Sequence, residues 1–353
     1  MSVRVREHAL TAEDRVLRSA RGRWSLRFGR RTARVCAALA VALVLLLTAA
    51  LMLGDFVVTP AAVVETLLGN APDQRTEFFV IGRRLPRALI AMTVGACLAV
   101  AGAVFQTLTR NPLASPDIIG ISGGASVGAV FVMLVLGGST GQASLGAVVG
   151  AIAMAGVIVA LTARAGLHGV QLILTGVALS AIAMAAVEYV LSQVFVASAT
   201  TAQTWLVGSL QGRSWPDLVP AAAMLALAVP ILWWKAADAR MMVLGDSASI
   251  ALGVRTSRVR WILLAVATLL VAVAVATAGP ISFVALVAPH VARRLCRSES
   301  LLCAGLAGAV LLVASDLVAL YAFAAPVPVG VVTITLGGGF FLWLLWREGR
   351  RHA

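Results

Sequence analysis

Apolar runs long enough to cross a membrane follow one another along most of the chain, and they constrain its fold more than any other feature. A bilayer-spanning helix needs roughly 20 mostly apolar residues. Of the 353 residues, 60% are hydrophobic and only 12% are charged, whereas soluble domains are about a quarter charged. The sequence therefore predicts an all-α polytopic membrane protein.

Hydropathy and helix-breaking residues together predict about ten transmembrane helices, each near the bilayer-spanning length. Their approximate limits are 35–53, 86–108, 116–136, 143–164, 169–195, 217–234, 258–277, 280–295, 300–320 and 327–346. An even number of spans places both termini on the same side of the membrane.

The distribution of basic residues predicts the orientation. Arginines crowd the arm 1–34 and occur in the alternate loops that hold Arg110 and Arg164, whereas the loops near 137–142 and 321–326 contain no Lys or Arg. By the positive-inside rule both termini are cytoplasmic. We therefore expect a basic arm (1–34) against anionic lipid, one transmembrane domain (35–346) in the cytoplasmic (inner) membrane and a cytoplasmic tail (347–353). The net charge of +13 indicates lipid contact here rather than nucleic acid.

One segment breaks the charge rule. The sequence IGRRLPRAL places Arg83, Arg84 and Arg87 at the outer edge of the second span. These side chains could snorkel beside the acidic residues of the preceding loop. They could equally form a cationic docking point that steers an acidic partner outside the membrane.

The chain lacks the residues that would let it hydrolyse ATP. A nucleotide-binding P-loop needs the sequence GxxxxGK[ST], and the single lysine, Lys235, precedes Ala236. ATP and Mg²⁺ would therefore bind a separate ATPase, and we expect no cofactor in this chain. An ion-driven carrier would use ionisable residues inside the membrane, and the spans offer two isolated carboxylates, Glu188 and Asp316.

A cytoplasmic loop, ARMMVLGDSASIALGVRTSRVRW at 239–261, has the composition of a short, partly amphipathic helix between two glycines. Its apolar side chains, such as Leu244 and Leu252, could enter a groove of a cytoplasmic partner. The alternative is an interfacial loop helix that supplies positive-inside charge.

The sequence GISGG at 120–124 matches the G-x-S-x-G pattern, and a serine protease could pair Ser122 with His290. Glycine and serine are also common where membrane helices approach closely, so Gly123 and Gly124 favour packing. The cysteines at 36, 97, 296 and 303 show no CxxC spacing, and we expect buried small side chains rather than disulfides or a metal site.

Four blocks of sequence resemble the iron-siderophore and cobalamin importer permeases of ABC systems. They are RLPRAL…TRNPLASPDIIGISGGASVG (84–128), LGDSASIALGV (244–254), AGPISFVALVAPHVARRL (278–295) and VPVGVVTITLGGGFFLWLL (327–345). The likeness extends over about 35–346 and is strongest to the second permease subunit of ferric-enterobactin importers. It implies ten helices per subunit, a second permease subunit, two cytoplasmic ATPases and an extracytoplasmic siderophore-binding protein.

The resemblance also implies roles for particular residues. Arg84 and Arg87 match positions that meet the binding protein, and the cytoplasmic loop at about 240–257 matches the ATPase-coupling loop. The full set by implied role is Arg84 and Arg87 for the binding protein; Leu244, Gly245, Ala251, Leu252 and Gly253 for the ATPase; Thr175, Ser180, Glu188, Thr333 and Thr335 for the path; and Arg110, Asn111, Pro112, Gly123, Gly124, Gly279, Pro280, Pro289 and His290 as structural motif.

Two departures from the family pattern bear on the partners. Many members have Arg four residues after the Asp of the ninth helix, where this chain has Leu320, and many open the tenth helix with Glu-Leu-Pro-Val-Gly, where this chain has 326–330 PVPVG. A heterodimer whose paralogous partner supplies the missing charge is one explanation.

The predicted spans contain no cluster of carboxylate, imidazole or thiolate groups that would bind a bare metal ion. A chelate whose metal is already coordinated needs only a wide, weakly polar path. The sequence therefore favours a ferric siderophore as cargo, with haem or cobalamin as the alternative.

Overall fold

The computed structural model describes residues 14–18, 25–54, 56–162 and 169–352. The expected arm 1–34 is therefore described only in part, and Arg164 lies outside the described residues. An antiparallel pair of short strands, β1 (Asp14–Arg18) and β2 (Ser25–Gly29), precedes the first helix. These strands are an addition to the all-α prediction, and they lie before the membrane domain.

The remaining chain is helical, as predicted. The helices are α1 (Arg30–Met52), α2 (Pro60–Leu67), α3 (Gln74–Glu77), α4 (Leu85–Thr109), α5 (Ile121–Val130), α6 (Thr140–Thr162), α7 (Gly169–Ser192), α8 (Val196–Leu206), α9 (Trp215–Met242), α10 (Asp246–Ala251), α11 (Thr256–Ala278), α12 (Val284–Cys296), α13 (Leu301–Tyr321) and α14 (Val329–His352). There are also two π-helical segments: Phe78–Arg84 directly precedes α4, and Phe131–Val135 directly follows α5.

Each predicted span contains a helix. Among the described residues, seven helices are long and apolar enough to cross a membrane, and two shorter apolar helices, Ile121–Val135 and Val329–Leu344, add to them. The remaining predicted span, 280–295, contains α12, which begins at Val284 rather than at the predicted position 280. Gly279 and Phe283 both have positive φ angles, 75° and 68°, and a regular helix cannot continue through them.

The centre of the molecule is α4, most of which is buried. It packs against α9, α11, α12 and α13. Small residues permit this crowding, because the backbone of α4 lies directly against that of α13 at Gly95 and Gly308 and against α12 at Gly102. A helix enclosed in this way is positioned to connect the two ends of the molecule.

The glycines of the GISGG sequence serve packing. A side chain on Gly124 or Gly128 would collide with the backbone of α6 at Gly150 or Gly146. On the other side of the same helix, Gly123 lies against α7. The close-packing interpretation of this sequence is therefore confirmed, and α5 and α6 form one tightly joined pair.

Candidate functional site

The charged residues singled out in the sequence gather at the two ends of α4. Arg87 lies in the first turn of this helix and Arg110 directly follows its last residue. At 1.5 Å per residue, the two positions are about 35 Å apart along the helix. The group of Arg83, Arg84, Arg87 and Asp316 is named here the Arg87 edge, and the group of Arg110, Asp246 and Arg260 the Asp246 cluster.

Arg87 makes a bidentate ion pair with Asp316 of α13. Its Nε donates to Oδ2 at 2.8 Å and its Nη2 to Oδ1 at 2.7 Å. The side chains are 19% and 7% exposed, so the pair is largely shielded from solvent. Sequence reasoning treated Asp316 as an isolated carboxylate, and the structure gives it a partner 229 residues away.

Arg84 binds the carboxyl end of α1. Its guanidinium donates to the carbonyl oxygens of Leu51 (2.8 Å), Met52 (3.3 Å) and Phe56. The last carbonyls of a helix have no partner within the helix, so a cation is favourable there. Arg83 is exposed and lies over the Phe78 ring. Of the three arginines at this edge, Arg83 is the one that the described fold leaves at the surface.

The π-helical turn before α4 adjusts the backbone around Pro86. In this segment the amide of Leu85 donates to the carbonyl of Val80, five residues back. Pro86 has no amide hydrogen to continue the pattern toward Ile81. The Ile81 carbonyl instead accepts a 3.0 Å hydrogen bond from the indole of Trp215, at the start of α9. The edge is thus joined to α9 as well as to α1 and α13.

The Asp246 cluster joins four helices at the other end of α4. Arg110 Nη2 lies 2.6 Å from Asp246 Oδ1, and Arg260 Nη2 of α11 lies 3.1 Å from both carboxylate oxygens. Arg110 also donates through Nε to the carbonyl of Met242, the last residue of α9. Sequence analysis assigned no role to Asp246 or Arg260, although Asp246 follows Gly245 within the recognised loop.

The Asp246 carboxylate remains ionised at neutral pH. Burial opposes its charge, but the hydrogen bonds and charges of Arg260 and Arg110 outweigh this and hold its pKa below the ordinary value. A depressed folded-state pKa contributes stability above the unfolded value, and this contribution is lost as pH falls through the folded pKa. Asp246 therefore keeps the negative charge that binds the two arginines at physiological pH.

The loop that contains α10 exposes apolar side chains. Leu244, Ile250 and Leu252 are 60–68% exposed in the single chain. The loop lies between α9 and α11, with Gly245 and Gly253 at positive φ angles of 109° and 83° on either side of α10. A Cβ placed on either glycine would meet no other atom within 4 Å, so a substitution there would strain the backbone rather than create a clash.

The residues proposed from the resemblance for a path lie on α7 and α14. Glu188 and Thr335 are exposed in the single chain, and Thr175 is half-buried. Ser180 Oγ is buried and has no hydrogen-bond partner among the described residues. Thr333 is buried and donates to the Gly330 carbonyl at 3.1 Å, so it lies away from the surface that Thr335 occupies.

The residues of the protease alternative have other partners. Ser122 Oγ donates to Asp117 Oδ1 at 2.6 Å, and the His290 ring lies edge-on to Phe340 of α14, with centroids 5.5 Å apart. Ser122 therefore directs its hydroxyl hydrogen to a carboxylate rather than to an imidazole, an arrangement unlike that of a nucleophile with its general base.

The other motif residues shape turns. The Asn111 side chain accepts the amide of Leu113 at 2.9 Å, which closes the turn that includes Pro112. Arg110 itself adopts a left-handed conformation, with φ at 52°, and ends α4. Gly279 and Pro280 form the break before α12, and Pro289 lies within that helix, next to His290. These residues fix where the helices end.

No group of three or more His, Cys, Asp or Glu side chains suited to a metal ion occurs within the described ranges. Cys97, Cys296 and Cys303 are buried free thiols and Cys36 is half-buried. Three of the four cysteines therefore occupy the packed positions expected of small apolar side chains.

The described helices, seven of them long and apolar enough to cross a membrane, are those of a multi-pass membrane protein. The FecCD transport family matches residues 42–347. The chain therefore belongs to the FecCD transport family.

Three relatives illustrate the similarity. The chain is 39% identical over 301 residues to the ferric enterobactin transport system permease protein FepG of Escherichia coli K12. This match covers 84% of this chain and 91% of FepG. It is 37% identical over 322 residues to the vitamin B12 import system permease protein BtuC of Escherichia coli O6:K15:H31, a match that covers 88% of this chain and 94% of that protein. A metal-chelate type ABC transporter solved in an inward-facing conformation matches with a TM-score of 0.80 and 27% identity, covering 89% and 99%.

Proposed function

We propose that the chain is the permease subunit of an ATP-driven importer that moves a ferric siderophore across the cytoplasmic membrane. The observation that carries the proposal is the loop around α10, which exposes Leu244, Ile250 and Leu252 in a chain without a P-loop. An apolar surface of this kind suits the groove of a partner protein. The partner would be a cytoplasmic ATPase that binds ATP and Mg²⁺, present in two copies.

The cargo is proposed from the relatives and from the composition of the helices. The similarity to a ferric enterobactin permease favours a ferric siderophore, and the similarity to vitamin B12 permeases keeps cobalamin as a second candidate. Both are bulky chelates that hold their metal already coordinated. Weakly polar groups such as Thr175, Ser180 and Thr335, together with Glu188, would suffice to line their path.

Charged residues support proposals for the other partners. In the proposed orientation both termini are cytoplasmic, so the Arg87 edge lies outside and the Asp246 cluster inside. An extracytoplasmic siderophore-binding protein would bring acidic residues to Arg84 and Arg87, in competition with the α1 carbonyls and with Asp316 that these arginines contact within the chain. Because Leu320 stands where many family members have Arg, we propose a paralogous second permease subunit that supplies the third cation.

Reconstitution tests the function. The chain is co-purified with its ATPase and second permease subunit and incorporated into liposomes, with the binding protein added outside. We expect ATP-dependent uptake of ⁵⁵Fe-siderophore that ends when the ATPase is inactivated by substitution. Uptake that continues with the inactive ATPase would identify a secondary transporter. Cobalamin and haem, each with its own binding protein, are the comparison cargoes.

A further inference from the structure

The short helix α10 is attached to the rest of the fold at few places. Leu244, Ile250 and Leu252 extend away from the protein, and the glycines at its two ends have open space around them. On its inner side, Ser249 Oγ donates to the carbonyls of Met241 and Gly245. These bonds close the corner between α9 and α10, but they do not reach the central helix.

Asp246 supplies the hydrogen bonds that connect α10 to α4 and to α11. Its two oxygens accept from Arg110, at the end of α4, and from Arg260 of α11. Arg260 is 13% exposed and is therefore the more shielded partner, whereas Arg110 and Asp246 are 42% and 36% exposed. The Asp246 carboxylate thus binds one largely shielded arginine and one exposed arginine.

Arg110 is suited to transmit a displacement because both its backbone and its side chain are held. Its amide bonds to the last turn of α4, and its Nε donates to the Met242 carbonyl at 3.1 Å. Any shift of Asp246 therefore pulls on the end of α4 and on the end of α9 together. The buried body of α4 then connects this point with Arg87 and its partner Asp316.

We propose that Asp246 is the positioning residue that transfers movement of α10 to α4 through Arg110, with Arg260 as its fixed anchor. This inference rests on the proposed function, since α10 is there the contact with the ATPase. Asp246 would not touch the ATPase's nucleotide or the cargo. It would keep α10 and α4 moving as one unit, so that hydrolysis and transport stay linked.

The test measures the amount of cargo imported per ATP hydrolysed in the complete reconstituted importer. Asp246→Asn keeps the size of the side chain but removes the charge that holds both arginines. We expect ATPase subunits to remain bound and ATP hydrolysis to continue, while cargo moved per ATP falls roughly fivefold or more, the lower end of usual coupling between sites. Asp246→Glu, which keeps the charge, should restore most of the ratio.

Asp238→Asn is the matched control. Asp238 pairs with Lys235 at 3.0 Å and is exposed to a similar degree, but both residues belong to α9 and join no separate elements. The amount of cargo imported per ATP hydrolysed by the Asp238→Asn variant should equal that of the unmodified chain. An unchanged ratio in Asp246→Asn, or an equal fall in Asp238→Asn, would overturn the inference.

Two further outcomes would test the role of Asp246 and the proposed function separately. Loss of the ATPase subunits from Asp246→Asn would place Asp246 in the docking surface itself and would contradict a positioning role. If the unmodified complex neither binds an ATPase nor imports cargo with ATP, the proposed function fails, which is a different result from a changed ratio in one variant.

Discussion

The two ends of α4 are held by the same chemistry in opposite surroundings. At the Arg87 edge one arginine and one aspartate form a shielded bidentate pair, with side chains 19% and 7% exposed. In the Asp246 cluster one carboxylate is shared by two arginines, and Asp246 and Arg110 are 36% and 42% exposed. A shielded pair resists separation, whereas a solvent-exposed cluster is held more weakly and is screened by salt. The difference suggests a fixed end and a movable end of one buried helix.

The largest expected effect comes from Arg87→Ala. The substitution would leave the Asp316 carboxylate buried without its partner, and breaking a buried pair in this way costs about 3–5 kcal/mol. The loss should appear as reduced stability to denaturant in detergent. The exposed neighbour Arg83 supplies the control, since Arg83→Ala should change stability by less than about 0.5 kcal/mol. Equal stability of the two variants would mean that the Arg87 edge is no more fixed than the surface around it.

A smaller effect is expected from Asp316→Asn. Arg87 would keep one carbonyl acceptor and lose a charge-assisted hydrogen bond, a cost of about 1.5–3 kcal/mol. The guanidinium would at the same time become available to an acidic partner. We therefore expect tighter docking of the binding protein at low salt, measured as its affinity for permease in nanodiscs. Unchanged or weaker docking would argue against Arg87 as a docking residue.

The smallest effect on stability is expected from Arg110→Ala. Exposed ion pairs contribute about 0–1 kcal/mol, and salt screens them further. The destabilisation should shrink between low and high salt, whereas that of Arg87→Ala should stay nearly constant. Denaturation of both variants at two salt concentrations measures this contrast. A salt-independent loss in Arg110→Ala would show that the two ends are alike.

Much of the fold could be predicted because each membrane helix corresponds to a continuous run of apolar residues in the sequence. A helix lies within each of the ten stretches predicted from hydropathy, and seven of these helices in the described part of the chain are long and apolar enough to cross a membrane. The glycines near Ser122 were recognised as packing residues. The helix α8 was not predicted, since its mixed sequence between 196 and 206 has no long apolar run. The start of α12 at Val284 depends on two positive φ angles, and apolar residues continue across this break in the sequence.

The ion pairs could not be predicted for a different reason. Arg87 and Asp316 are 229 residues apart, and Arg110 and Asp246 are 136 apart. Which charge meets which depends on how α4 packs against α13 and α9, and no local pattern records this. The resemblance pointed to Arg84 and Arg87 as surface groups for a partner, whereas the structure also gives each of them a partner within the chain.

The π-helical turn at Phe78–Arg84 determines the direction in which the side chains before α4 face relative to those of α4. Hydrogen bonds in a π-helical turn span five residues instead of four, so the turn holds one residue more than an α-helical turn. Successive residues of an α-helix are rotated by about 100°, so the same sequence wound as a continuous α-helix would present Phe78 and Phe79 on a face rotated by about that angle relative to the buried faces of α4. The directions of these aromatic side chains are thus set by the hydrogen-bond pattern of the turn, while Arg87 stays opposite Asp316.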